Sequence, residues 1–69
     1  MKKGDKFSDK TDSYVYYTFT GKEKEGRTIF EADKFYQFEE TPKNKHSNVK
    51  PRIVYKSDTW VKDYFVKLD

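Results

Sequence analysis

The sequence predicts a small, mainly β domain, all-β apart from at most one short helical turn. Three observations carry that reading. Leu and Ala, which build ordinary helices, occur once each, at Leu68 and Ala32. Phe and Tyr occur six times each and Trp once, beside five Val and six Thr, and these types favour pleated strands. They also fall into separate alternating blocks rather than scattering along the chain. Disorder is the competing reading, because 39% of the residues are charged, and high charge with few apolar groups disfavours a core. The blocks decide for a fold: each ring can bury roughly 150–250 Å², so a few rings fill a core that 69 residues of aliphatic composition could not.

In chain order, Gly4-Asp5 reads as a turn and Phe7 as the single anchor of a short first strand. Asp9, Asp12 and Ser13 read as a loop. Residues 14–20 form the clearest strand. Alternation sets Val15, Tyr17 and Phe19 on one face, expected to be the core, and Tyr14, Tyr16, Thr18 and Thr20 on the other. The charged run 21–26, bounded by Gly21 and Gly26, reads as a hairpin loop. Residues 28–38 hold two apolar patches, Ile29-Phe30 and residues 35–38. Two strands joined by a bend or a bulge at residues 32–34 are preferred to a helix, whose apolar stripe would exclude Phe30 and Phe38.

Residues 41–51 read as a long loop, with a proline near each end and two asparagines. Residues 52–56 form a further strand with Ile53 and Tyr55 on one face. A turn at Ser57-Asp58, a short strand at residues 59–61, a helical turn at 62–64 and a last strand at 65–68 complete the chain.

Five or six short strands in one domain spanning residues 1–69 suggest a partly open barrel, which buries one face of every strand and protects most edges. The tail from Ile53 to Leu68, with Trp60 ahead of a helical turn and a last strand, resembles the end of small SH3-like barrels. Gly4-Asp5-Lys6-Phe7 resembles their opening before the first strand. The short, Lys-rich and aromatic-rich composition is similar to that of small phage-encoded or mobile-element proteins. The resemblance implies a five- to six-stranded SH3-like barrel and leaves function open, since such folds host many activities.

No Cys is present, which removes disulfides and thiolate metal sites. No phosphate-binding glycine loop, nucleophile motif or paired metal-spaced His appears, so neither a cofactor nor enzymatic activity is expected. His46 stands alone between Lys45 and Ser47 and reads as an exposed loop residue. Glu39 and Glu40 are adjacent, so on a strand they point to opposite faces and cannot work as a pair. No apolar run reaches the ~20 residues of a membrane span, and none follows the basic start, so a cytoplasmic location is the expectation.

Charge is unevenly spread. Residues 1–40 balance to −1 and residues 57–69 to −1, while residues 41–56 carry Lys43, Lys45, Lys50, Arg52 and Lys56 with no acid. A local positive field of this kind attracts phosphates or acidic proteins. The expected function is a binding module. On one reading these five cations track nucleic-acid phosphates while Tyr14, Tyr16, Tyr55 or Trp60 stack on bases. On the other, a Tyr-rich sheet face or an open edge covers a partner protein, as a protein-interaction module or a phage-borne inhibitor, because Tyr and Trp are favoured in hot spots. With only two Arg, base-specific reading of guanine is not expected.

Overall fold

The computed structural model describes residues 1–26, 34–44, 48 and 50–68. Among them the chain forms β1 (Lys6–Asp9), β2 (Asp12–Glu25), β3 (Lys34–Pro42), β4 (Arg52–Ser57), α1 (Asp58–Tyr64) and β5 (Phe65–Leu68). The strands make one open antiparallel sheet in the order β4-β3-β2-β1-β5. The domain is therefore mainly β with one short helix, as the aromatic and β-branched composition predicts.

The alternation of β2 works as expected. Tyr17 and Phe19 point inward and are buried, with Val15 packed beside them. Phe7, Phe38 and Phe65 complete the core, and Phe38 at its centre is fully buried (0% exposed). Its ring meets Phe7 at 5.9 Å, Tyr17 at 6.2 Å and Phe65 at 5.0 Å, all edge-on. Edge-to-face packing directs the positive ring edge at the negative ring face, worth about 0.5–1.5 kcal/mol per pair beyond burial. Trp60 and Val61 of α1 pack against the same cluster. The helix thus lies on the inner face, and no described helix or strand covers the outer face.

Five expectations need correcting. The run from Gly21 to Glu25 is not a hairpin loop: β2 continues through it, and Glu23, Lys24 and Glu25 pair with Tyr36, Phe35 and Lys34. Gly21 sits at φ +91 where the register shifts between Phe19 and Glu23. The glycine that signals a turn here supplies a bulge, which bends a strand without ending it. Residues 34–38 are one uninterrupted strand, which removes the helix for that part and any bend at Lys34, while Ile29 and Phe30 lie outside the described residues.

Thr41 and Pro42 close β3 rather than opening a loop. Likewise Asp9 ends β1 and Asp12 and Ser13 start β2, so only Lys10 and Thr11 form the turn between them. Thr59, Trp60 and Val61 are helical, not a strand. Ser57 caps that helix, its hydroxyl accepting from the Trp60 N–H at 3.1 Å, and Lys62 reaches Asp58 one turn away at 2.9 Å. A cap and an i,i+4 pair of the correct polarity outweigh the strand preference of Thr, Trp and Val.

Candidate functional site

Strand pairing sorts the side chains expected to bind. Tyr14, Tyr16, Thr18 and Thr20 alternate along β2 away from the core. They share the outer face with Phe35, Gln37 and Glu39 of β3 and with Ile53 and Tyr55 of β4. Lys6 and Ser8 of β1 and Val66 and Leu68 of β5 continue that face to the other edge. Three of the four aromatic candidates, Tyr14, Tyr16 and Tyr55, therefore occupy one surface. Tyr14 is 81% exposed, and Tyr55, Ile53, Val66 and Leu68 are also open to solvent.

Lysines attend these rings. Lys6 Nζ lies 5.3 Å from the Tyr16 ring centre, and Lys24 Nζ lies 4.0 Å from that of Tyr55. The bulge in β2 makes the second contact possible by carrying the strand on to Lys24. At the opposite end the Lys43 N–H donates to the Tyr14 carbonyl at 2.9 Å, which sets Lys43 beside Tyr14. Glu39 is the carboxylate that opposes these cations, in the middle of the face between Thr18 and Ile53.

Tyr55 is held in place by a short chain of hydrogen bonds. Thr20 Oγ1 donates to Gln37 Oε1 at 2.7 Å, and Gln37 Nε2 donates to the Tyr55 hydroxyl at 2.9 Å. The phenol oxygen accepts in this arrangement, so its own proton is directed elsewhere.

Of the five cations of residues 41–56, the four among the described residues do not share one environment. Lys43 and Lys50 are exposed, and Lys45 lies outside the described residues, as does His46. Arg52 faces Glu40 across the β3–β4 pair and holds it with two nitrogens, at 3.2 and 3.4 Å. Lys56 turns inward, 5.1 Å from the Trp60 ring and 5.7 Å from that of Tyr17. Two of the five charges are thus engaged within the molecule, and the cations whose ammonium groups stand over outer rings are Lys6 and Lys24. A linear charge count missed both, because each belongs to a segment that balances overall. The alternation of β1 and β2 was the signal that could have found Lys6.

Trp60, the fourth aromatic candidate, belongs to the inner side. Its Nε1–H donates to Asp9 Oδ2 at 3.2 Å, while Thr11 donates to Asp9 Oδ1 from both N–H and hydroxyl at 2.7 Å. Burial acts to raise the Asp9 carboxyl, but the bonds from Thr11 and Trp60 and the charge of Lys56 outweigh it and hold the group below its ordinary value. Burial, reinforced by Glu40, pushes the Tyr17 phenol well above the usual range. Both groups are locked in one protonation state near neutrality, which suits a structural role.

Among the described residues no group of His, Asp and Glu could hold a metal ion, and no helix is long and apolar enough to cross a membrane. Comparison with family models, curated proteins and solved structures finds no match for this chain.

Proposed function

We propose that this chain is a non-enzymatic binding module that holds nucleic acid against the outer face of its sheet. The observation that carries the reading is the approach of cations to rings on one surface that no described helix or strand covers: the Lys6 ammonium stands over Tyr16 and that of Lys24 over Tyr55, while the Lys43 backbone binds that of the exposed Tyr14. Rings supply stacking surface and lysines neutralise phosphates, the combination that nucleic-acid-binding sheets use. The net charge of +3 favours an anionic partner.

The test is a mobility-shift titration at several salt concentrations. Affinity should fall linearly on a log–log plot, because each neutralised phosphate releases a counterion. Replacing Lys6, Lys24 and Lys43 together by Ala should weaken binding and flatten the slope by about 0.7 per lysine on a single strand. Absence of a shift at low salt would remove the reading.

Exposed Ile53, Val66 and Leu68 on the same face support a second reading, a protein-interaction module. Under it, capture of a partner from a lysate persists after nuclease treatment and is lost on substituting Ile53 and Val66 by Ser.

A further inference from the structure

The outer face also bears on the form of nucleic acid that fits it, an inference that rests on the reading above. Five strands at about 4.8 Å spacing make a surface roughly 19 Å across. The major groove of a duplex is about 12 Å wide and admits a helix or a two-stranded ribbon. The face is wider than the groove, so its central rings cannot reach base edges inside a duplex.

The rings impose a second restriction. A base within a duplex has neighbours stacked on both sides at about 3.4 Å, leaving no open face for a tyrosine. Tyr14 and Tyr16 are two residues apart on one strand, which separates them by about 6.8 Å, twice the stacking distance. Bases that lie on both rings must therefore be unpaired and spread apart. Intercalating wedges are the other way to reach a stacked base, and they are apolar side chains driven between steps from the minor groove. Tyr16, half-buried beneath Lys6, does not project in that way. Base-edge reading is weak as well among the described residues, whose one arginine, Arg52, is held by Glu40.

We infer that the ligand is a single strand, laid open along β2 with bases on Tyr14 and Tyr16 and continuing across β3 to Tyr55, and gripped with little sequence preference. Lys6, Lys24 and Lys43 flank the rings where the sugar–phosphate chain passes. DNA and RNA share this chemistry.

The test is fluorescence anisotropy with labelled 12-nucleotide single strands of mixed sequence, as DNA and as RNA, against a hairpin duplex of the same composition, at low salt. Either single strand should bind at least about tenfold more tightly than the hairpin. Tyr14→Ala, Tyr16→Ala and Tyr55→Ala should each weaken it by roughly five- to 150-fold, while the Phe variants keep most of the affinity because the ring remains. Unchanged thermal unfolding would show that these variants still fold. Equal or tighter binding of the hairpin, with the Ala variants unaffected, would overturn the single-strand inference and leave the nucleic-acid reading standing. Binding to none of the oligonucleotides would overturn both.

Discussion

Trp60 donates its indole N–H to the Asp9 carboxylate at 3.2 Å across a sequence separation of 51 residues. That bond ties α1 to the end of β1. The same carboxylate orders the turn that leads into β2 by accepting twice from Thr11. One buried acid, 5% exposed, thus joins the helix, the first strand and the first turn.

Removal of this acid should be costly. Asp9→Ala leaves the Trp60 and Thr11 donors without their charged acceptor, and hydrogen bonds to charged groups contribute about 1.5–3 kcal/mol. A loss of about 2–3 kcal/mol is expected, with a fall in Tm of roughly 10–20 °C for a domain of this size. Thermal unfolding followed by Trp60 fluorescence measures it. A fall of less than about 3 °C would show that the network contributes little.

Stability should decline at both ends of the pH scale, for different reasons. The folded value of Asp9 lies below its ordinary one, so its contribution is present above about pH 4 and is lost as pH falls through the folded value. The folded value of Tyr17 lies above its ordinary 10.0, so its contribution is complete below about pH 10 and is lost as pH rises beyond that. Urea unfolding between pH 2 and 11 should show both limbs. Asp9→Asn should flatten the acid limb and Tyr17→Phe the alkaline one.

Substitutions on the two sheet faces should separate cleanly. Phe38→Ala opens a cavity at the centre of the ring cluster and should cost about 3–5 kcal/mol. Tyr14→Ala, at a position 81% exposed, should change stability by no more than about 0.5 kcal/mol. Denaturant melts of the pair check both. Equal effects would contradict the assignment of faces.

The two positive-φ glycines should differ in their tolerance of a side chain. Gly4 has φ +93 with nothing within 4 Å of an added Cβ, so Gly4→Ala suffers backbone strain alone, about 1–2 kcal/mol. Gly21 has φ +91 and would also bring its Cβ to 3.3 Å from that of Lys3. Gly21→Ala should therefore be the more harmful, and the two thermal midpoints give the comparison.

The inner face of β2 was legible because Val15, Tyr17 and Phe19 alternate with amphipathic residues, a local pattern that needs no knowledge of neighbours. The helix was not, since Thr59, Trp60 and Val61 favour strands and only the weaker signals of Ser57 and Asp58 mark its start. Gly21 was ambiguous in principle: positive φ serves a turn or a bulge, and the pairing of Lys24 with Phe35 decides between them. The candidate site shows the same limit. Sequence gathers Arg52 and Lys56 with the other cations of residues 41–56. Folding instead sets one against Glu40 and the other over Tyr17 and Trp60, contacts fixed by strands far apart in the chain.

β1 is flanked by β2 on one side and by β5 on the other, with Lys6 opposite Leu68 and Asp9 opposite Phe65. β1 gains its second partner only from Phe65 through Leu68, the last strand in chain order, so the sheet cannot be completed in the order in which its strands are made. Removing those four residues would take one ring out of the core and bare a backbone edge beside Phe7, leaving a fragment prone to self-association.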